Sequence, residues 1–481
     1  MEHGMDRRTP LCLLVAGWTT GCPVVPASVH DGVVDPEDTD VAADSDGAED
    51  TDAAADTDRP EDTDVAADTD AADTDVGDTD MPGCGRRVVP YTYARPYAPS
   101  AAWNTPACGL PTWSESAKYV ERFWFYSNHR DADPTVVDPR RGDHVLDFGL
   151  DPATDYAPPV YNAADATTVR RVRLRAGWGG TNLGYTDTIP WNPQWRAMEG
   201  TDGSMIILDA ATGREWNLWG LVQPSLFWGI YNDSQCWLAA GGYSASTDLC
   251  VGSGNLVKSP SGQVADYRTY GGTFPSRGVQ IQFYAMVVTP EEVVAGEIRH
   301  ALMMSASNTL FGPACSPAEL STSAAGSTCG FALAPAGGLE WTTPCTSCVP
   351  SSLPLDEQRV RSIPEGIRFA LDITDAEIES WLDARGYTSV KRSTAKVFVV
   401  ALRDYGWFIT DTGGVAAFSV SGAANPVTRQ AWIDLGITGS GTDLLFGLLT
   451  QDRLRAVIPA TNDCAVGGPS PYACPAAATH Y

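Results

Sequence analysis

An acidic segment of low complexity divides the chain into a part that cannot fold and a part that can. Residues 31–80 carry 21 Asp or Glu against a single Arg, and they include seven Asp-Thr-Asp repeats separated by small or apolar residues. Such a segment has too little apolar surface to offset the entropy lost on folding, and its charges repel one another. We therefore interpret residues 23–83 as an extended spacer and assign one globular domain to residues 84–481.

The N-terminus has the pattern of an export signal. Two arginines precede the apolar run Leu11–Trp18, which is too short to span a bilayer. Gly then Cys22 at the end of this run resembles a bacterial lipobox, although Thr19 stands where that pattern prefers Leu. We predict a signal peptide over residues 1–22 and a lipid anchor on Cys22 that holds the protein to the outer membrane or cell surface, with ordinary secretion as the alternative.

Cysteine usage indicates an oxidising compartment. Apart from one cysteine in the signal and one at the predicted anchor, ten remain, and this even number predicts disulfides in an exported chain. They are Cys84, Cys108, Cys236, Cys250, Cys315, Cys329, Cys345, Cys348, Cys464 and Cys474. Spacing favours pairing Cys236 with Cys250, Cys464 with Cys474 and Cys84 with Cys108, and the other four can pair in three ways. Cys345 and Cys348 have the spacing of a redox or zinc motif, but without a second such pair we predict a structural disulfide and no metal.

Short apolar runs bounded by Gly and Pro dominate the chain from residue 103 to about residue 460. Their β-branched or alternating composition favours strands of a sandwich over a parallel α/β sheet. The runs include Val169–Leu174, Met205–Leu208, Val279–Val288, Ile367–Leu371, Lys396–Ala401, Trp407–Thr410 and Ala416–Val420. We predict a mainly β fold, a disulfide-stabilised sandwich of jelly-roll type with a few short helices.

Local signals place a hairpin and some helices within this region. Residues 209–213 predict a hairpin turn, because the glycine at its end can take a positive φ. Residues 289–292 supply an N-cap, a proline at the first helical position and two acids, so they predict a short helix that Gly296 ends. A second helix is predicted to begin at Thr374, and the stretch Val397–Leu402 fits either a helix or a strand.

An ordered set of motifs resembles a widespread family of exported bacterial proteins that has no settled activity. The motifs are Ala102–Pro106, Thr201–Asp209 followed by Thr212–Glu215, Arg277–Val279, Glu291-Glu292 with Gly296–Leu302, and Tyr405-Gly406 with Thr410–Gly414. Members of this family often have His at the position of Ser204. The resemblance implies one continuous domain and singles out Asp202, Asp209, Arg277, His300 and Asp411 as site candidates, but it implies no mechanism.

Two of these candidates suggest particular roles. His300 is the natural group for proton transfer near neutral pH, and the alternative is a partly buried histidine that fixes a helix-to-strand turn by a hydrogen bond. Arg277 would pair with a carboxylate or hydroxyl of a substrate. We predict both as catalytic residues.

The three aspartates would act only in combination with other groups. Asp202 and Asp209 flank one short strand at an odd spacing, which places their side chains on opposite faces. Each would therefore need a partner from elsewhere, such as Glu215 or Asp411, to form an acid and base pair. For all three aspartates, an ordinary turn residue is the alternative.

Tryptophan is concentrated in one part of the chain. Seven of the 15 Trp residues fall between residues 178 and 237. Flat indole faces stack on sugar rings, so Trp191, Trp195, Trp216 and Trp219 are predicted to bind substrate. Trp216 and Trp219 lie three apart on one predicted strand and hence on opposite faces, so one serves the core and the other can be exposed. Packing of a large core is the alternative for all of them.

These patterns exclude several chemistries. There is no Gly-x-Ser-x-Gly elbow and no phosphate loop, and the cysteines are predicted to be oxidised. Residues 84–481 carry 37 acidic and 29 basic side chains, which argues against a nucleic-acid partner. We expect a surface-tethered carbohydrate-active protein, a polysaccharide hydrolase or lyase without a cofactor, whose membrane contact is the lipid anchor. A non-catalytic glycan- or envelope-binding lipoprotein is the alternative, and a plain structural lipoprotein is the third.

Overall fold

The computed structural model describes most of the chain between residues 97 and 458. The described residues are 97, 101–136, 145–151, 156–174, 183, 187–200, 202–209, 211–212, 214–222, 244, 246–258, 278–279, 281–316, 318–336, 338–346, 348–439, 441 and 443–458. The predicted signal peptide and spacer lie outside them, as do Cys22, Cys84, Cys236, Arg277, Cys464 and Cys474. Within the described residues, no helix combines the length and apolar composition needed to cross a membrane.

Strands and helices alternate irregularly along these residues. The strands are β1 (Val145–Asp147), β2 (Val160–Asn162), β3 (Thr168–Leu174), β4 (Thr188–Trp191), β5 (Met205–Asp209), β6 (Arg214–Trp219), β7 (Asp248–Val251), β8 (Ser253–Lys258), β9 (Leu302–Ala306), β10 (Arg368–Leu371), β11 (Trp407–Thr412), β12 (Ala417–Ser419) and β13 (Leu454–Val457). The α-helices are α1 (Ser116–Tyr126), α2 (Pro290–Ala295), α3 (Leu355–Val360), α4 (Asp375–Arg385), α5 (Ser389–Asp404) and α6 (Pro426–Asp434).

The strands form three sheets, each of which mixes parallel and antiparallel pairs. The six-stranded sheet has the order β1-β12-β9-β11-β10-β13, the four-stranded sheet β2-β5-β6-β8, and the three-stranded sheet β4-β3-β7. Parallel pairs occur in all of them: β1 with β12, β9 with β11, β2 with β5, and β3 with β7. The β-rich, disulfide-containing fold is therefore confirmed, whereas a jelly-roll sandwich is not confirmed.

The six-stranded sheet separates two cores because side chains alternate along its central strands. Leu302 and Met304 of β9 point into a core that also contains residues of α1, α4 and α5. Met303 of β9 and Phe408 of β11 point into a second core on the opposite face. Ile206 of β5 belongs to this second core too, so the four-stranded and six-stranded sheets share it.

The local signals read from the sequence are confirmed. Antiparallel β5 and β6 are joined by the predicted hairpin, with Asp209 paired to Arg214. Helix α2 begins after Thr289 with a capping box and ends at Gly296, whose φ is 84°. Helix α4 follows Thr374 with a second capping box. Each of these features depends on residues only a few positions apart, which explains why the sequence reveals them.

One predicted strand is wrong, and a stretch that fitted either a helix or a strand is a helix. Residues 396–401 lie in helix α5, where Phe398, Val399 and Leu402 recur at helical spacing and are buried. Burial of this stripe outweighs the β preference of its branched side chains. Residues 279–288 form no strand among those described, but include a short 3-10 helix over Tyr284–Met286. This run is apolar because it lies within the second core, not because it pairs in a sheet.

The described cysteines are oxidised. Cys315 bonds to Cys329 and Cys345 to Cys348, which resolves the pairing that the sequence left open. Cys108 and Cys250 are also disulfide-bonded, and their predicted partners lie outside the described residues. Disulfides of this number are typical of exported proteins.

Removing the disulfide with the larger loop should destabilise the domain. Cys315 and Cys329 are separated by 14 positions. A disulfide that closes a loop of about 15 residues stabilises the fold by about 3 kcal/mol, because it lowers the entropy of the unfolded chain. We expect the double variant Cys315→Ser, Cys329→Ser to lose a stability of this size in urea unfolding. The double variant Cys345→Ser, Cys348→Ser opens a loop of separation 3 and serves as the control, which should lose less. Equal losses would contradict the loop-entropy account.

Candidate functional site

Strand β11 ends in an irregular segment that presents an acid. The register between β11 and β9 shifts between Ile409 and Asp411, so that Asp411 pairs with Ser305. Such an irregularity re-aims the side chains that follow it. Asp411 and Thr412 are half-buried at this end of the strand, and the exposed residues Gly414 and Val415 come soon after.

A single backbone N–H joins two carboxylates at this strand end. The Thr412 N–H donates to Glu340 Oε2 at 2.8 Å and to Asp411 Oδ1 at 3.1 Å. Because both oxygens bond to one nitrogen, they lie within about 6 Å of each other. Glu340 comes from the loop that follows Leu339 and, like Asp411, is half-buried.

A third acid, Glu365, lies beneath this pair. It immediately precedes Gly366 at the entry to β10 and is fully buried. Its Oε2 accepts a hydrogen bond from the Glu340 backbone N–H at 3.1 Å. Burial raises the pKa of Glu365 to about 8; hydrogen bonds from Glu340 and Thr412 oppose the shift, and the charge of Asp411 adds to it. We call Glu340, Glu365 and Asp411 the carboxyl cluster.

The cluster holds its acids in different environments. At neutral pH the raised pKa keeps Glu365 mostly protonated, so this buried acid is neutral. Glu340 and Asp411 are open to solvent in part, and they therefore can meet a ligand that Glu365 cannot reach. Neighbouring carboxyl groups with environments that separate their pKa values are typical of acid and base catalysis.

Gly278 fits closely against Glu340. A Cβ added at this glycine would lie 2.4 Å from both Cγ and Cδ of Glu340 and 2.6 Å from its Oε1. Because real Cβ atoms do not approach that closely, any other residue at 278 would displace the Glu340 carboxylate. The predicted catalytic residue Arg277 precedes this glycine in the chain but lies outside the described residues.

The raised pKa of Glu365 makes a prediction about stability. Between its ordinary pKa of 4.5 and about 8, the folded protein holds a proton on Glu365 that the unfolded chain releases. Stability therefore falls as pH rises through this window. The control is a Glu365→Gln variant, which cannot ionise at this position. From pH 5 to pH 8 the wild type should lose stability relative to this variant, by about 1.4 kcal/mol per pH unit within the window. Urea unfolding at both pH values checks this, and a constant difference between the two proteins would contradict it.

The other predicted aspartates lie in turns around the β5–β6 hairpin. The Asp209 carboxylate accepts hydrogen bonds from the Ala211 N–H at 3.0 Å and from the Thr212 side chain and N–H. The hydroxyl of Thr212 is the main cause that lowers the pKa of Asp209. The Asp202 carbonyl accepts the Gly220 N–H at 2.6 Å. These contacts fit the turn role that the sequence offered as the alternative, and the catalytic role stays a prediction for both.

His300 is buried between α2 and β9. Its Nε2 lies 2.9 Å from Glu292 Oε1, and its Nδ1 lies 2.8 Å from the Ala301 carbonyl oxygen. Since a carbonyl oxygen only accepts, Nδ1 carries a proton in this contact. The imidazole thus links the helix to the start of the strand, which is the alternative weighed from the sequence. Its role in proton transfer stays a prediction.

Three of the four predicted substrate-binding tryptophans are buried. Trp191, Trp195 and Trp216 are 5–7% exposed and pack together in a third core. Tyr161 stacks on Trp195 with ring centroids 4.9 Å apart. Trp219 is half-buried. Its spacing of three positions from Trp216 on β6 places the two side chains on opposite faces of the sheet. Trp219 is therefore the most exposed of the four.

The sequence patterns did not single out Glu340 or Glu365 as site residues. Glu365 had a detectable signal, because it is an isolated acid in the otherwise apolar run that leads from Ile363 into β10. Glu340 had none, since it stands alone between Leu339 and Trp341, outside any motif. Of the predicted catalytic residues, Asp411 belongs to the carboxyl cluster.

Comparisons add no family to this description. No protein-family model, curated protein or solved structure matches the chain. The resemblance drawn from the motifs therefore stays a prediction. Within the described residues, no group of three or more His, Cys, Asp or Glu side chains is placed to hold a metal ion.

Proposed function

We propose that this protein is a carbohydrate-active enzyme that hydrolyses glycosidic bonds at the carboxyl cluster. One observation carries the proposal: Glu340 and Asp411 share the Thr412 N–H, above a buried acid with a pKa of about 8. Glycosidases use two carboxyl groups on either side of the scissile bond, one as acid and one as nucleophile or base.

The different surroundings of the two half-buried acids suggest their roles. The side-chain hydrogen bond with Glu340 lowers the pKa of Glu365, which is the effect of a donor, so we assign Glu340 the proton-donating role of general acid. Asp411 is the nucleophile. In the first step Asp411 bonds to the anomeric carbon while Glu340 gives its proton to the leaving oxygen. In the second, Glu340 takes a proton from water, whose oxygen replaces Asp411 on that carbon.

The short separation of the pair favours retention of configuration. Retaining enzymes hold their two carboxyl groups about 5–5.5 Å apart, whereas inverting enzymes need about 6.5–9.5 Å to admit a water. The two oxygens bonded to Thr412 N lie within about 6 Å of each other, which is nearer to the retaining separation than to the inverting one. Proton NMR of the first products should therefore show the same anomeric configuration as the substrate.

The location of the enzyme belongs to the same proposal. Disulfides support export to an oxidising compartment. We place the domain at the bacterial surface, held by an acyl chain on Cys22 and separated from the membrane by the acidic spacer of residues 23–83.

A polysaccharide panel tests the proposal. The full chain is incubated with neutral and acidic glycans, and new reducing ends are measured together with the absorbance of unsaturated products. Hydrolysis produces reducing ends without that absorbance. Absorbance in step with the reducing ends would identify a lyase and overturn the hydrolytic roles of Glu340 and Asp411.

The control separates catalysis from binding. Asp383→Asn changes an aspartate on α4 whose side chain is 74% exposed, and it should retain full activity. Glycan binding without any new reducing ends across the panel would instead support the alternative, a non-catalytic glycan-binding surface protein, and would exclude the enzyme.

A further inference from the structure

A group of polar side chains is enclosed between the four-stranded sheet and the second core. Glu215 and Asn217 lie on β6, Asn255 lies on β8, and Gln282 lies just before the 3-10 helix at 284–286. Glu215 is 5% exposed and the three amides are at most 1% exposed. We call these four residues the buried amide cluster. None of them belongs to the carboxyl cluster.

Contacts along the sheet bring the cluster together. Asn217 is the register partner of Asn255 on the neighbouring strand, so the two amides lie side by side. Asn217 Nδ2 donates to Glu215 Oε1 at 2.8 Å, and this bond fixes which end of the amide faces away. The Tyr284 N–H donates to the same carboxylate oxygen at 3.3 Å, and Gln282 lies two positions before Tyr284 in the chain.

Three acceptors in this cluster have no donor in the part of the chain that the structure describes. Asn217 Oδ1, Asn255 Oδ1 and Gln282 Oε1 are buried without a hydrogen-bond partner among the described residues. Each unpaired buried polar group costs about 1–3 kcal/mol, so natural structures almost always satisfy them with protein, water or an ion. A single water can donate only two hydrogens, whereas a cation can accept the lone pairs of all three oxygens at once.

We propose that the buried amide cluster binds a monovalent alkali-metal cation, Na⁺ or K⁺. The side-chain atoms that would bind the ion are all oxygens, and oxygen ligands suit hard cations. The cluster holds one carboxyl group, so a single positive charge gives a neutral interior. A divalent ion would leave an uncompensated buried charge, which is strongly unfavourable.

The state of Glu215 agrees with this site. Burial raises the pKa of Glu215, and hydrogen bonds from Tyr97, Asn217 and Tyr284 act in the opposite direction. None of the groups that act on the pKa of Glu215 in the described part of the chain is a positive charge. A cation beside it supplies that charge in place of a proton. The proposal is independent of the enzymatic function proposed above.

Thermal unfolding of the full chain tests the cation. After exhaustive dialysis, the midpoint is measured in NaCl, KCl, CaCl2 and choline chloride at equal ionic strength. Because a ligand of the folded state alone stabilises it, we expect NaCl or KCl to raise the midpoint by about 3 °C or more over choline chloride. Equal midpoints in all four salts would overturn the proposal, and so would an increase in CaCl2 alone.

Two leucine variants locate the effect. Asn255→Leu removes one orphan oxygen and should abolish the difference between KCl or NaCl and choline chloride. Asn308→Leu is the matched control, because Asn308 is equally buried but donates to the Arg122 and Arg361 carbonyls, away from the cluster. The Asn308→Leu variant should be less stable than the wild type but should keep the full difference in midpoint between KCl or NaCl and choline chloride. A salt effect that persists in Asn255→Leu would contradict the site.

If Asn255→Leu does not fold, elemental analysis of the wild type decides the question. One equivalent of Na⁺ or K⁺ retained by the folded chain, and released on unfolding, supports the site. Retention of neither ion would exclude it.

Discussion

The Glu340→Gln variant should lose about 10²–10⁴-fold in kcat on a polysaccharide substrate, the range typical of general acid–base catalysis. Glutamine keeps the acceptor oxygen for the Thr412 N–H, which bonds to Glu340 Oε2 at 2.8 Å, so the fold should persist. It cannot transfer a proton to the leaving group. The measurement is the initial rate of reducing-end formation, beside a thermal midpoint that should stay close to that of the wild type.

The chemistry of the leaving group makes this prediction specific. An aryl glycoside with an acidic phenol needs little protonation as it departs, so Glu340→Gln should lose much less on its first turnover than on a natural glycan. Asp411→Asn should lose activity on both substrates, because a nucleophile is needed in either case. Equal losses of Glu340→Gln on both substrates would contradict its role as the acid.

The Gly406→Ala variant should be strongly destabilised or fail to fold. Gly406 has a φ of 67°, and a Cβ added there would lie 2.0 Å from the Phe369 carbonyl oxygen. Two costs therefore combine: about 1 kcal/mol for the left-handed backbone and a clash that forces β10 away from β11. We expect a total loss of at least about 4 kcal/mol, typical of a severe core disruption.

Gly386→Ala isolates the first of these costs. Gly386 caps α4 with a φ of 61°, but nothing lies within 4 Å of the added Cβ. Its loss in urea unfolding should be about 1 kcal/mol, as expected for the backbone alone. If both variants lost the same stability, the close approach of Gly406 to β10 would not matter.

The parts of the fold that the sequence predicts are those built from near neighbours. The capping boxes at Thr289 and Thr374 each join residues three positions apart, and both helices begin where expected. The β5–β6 hairpin depends on one short turn. The sequence left helix α5 undecided between a helix and a strand, because its branched residues favour a strand locally while their burial against the six-stranded sheet favours a helix.

The candidate site was only partly predictable for a similar reason. Asp411 stood out through its motif, but its partners Glu340 and Glu365 are 71 and 46 positions away in the chain. Trp191 and Trp195 stood out through their density, yet density cannot distinguish a core from a surface. Their exposure of 6–7% depends on the strands that cover them.

Composition and short motifs alone indicated a β-rich, cystine-containing fold after an acidic segment, and where many of its turns and helix caps fall. These properties follow from interactions within a few residues or from bulk charge and polarity. Tertiary structure decided which acids share the Thr412 N–H, which cysteines pair, and which amide oxygens are enclosed without donors among the described residues. Those outcomes depend on strands and loops far apart in sequence, since burial and close approach are properties of the packed chain.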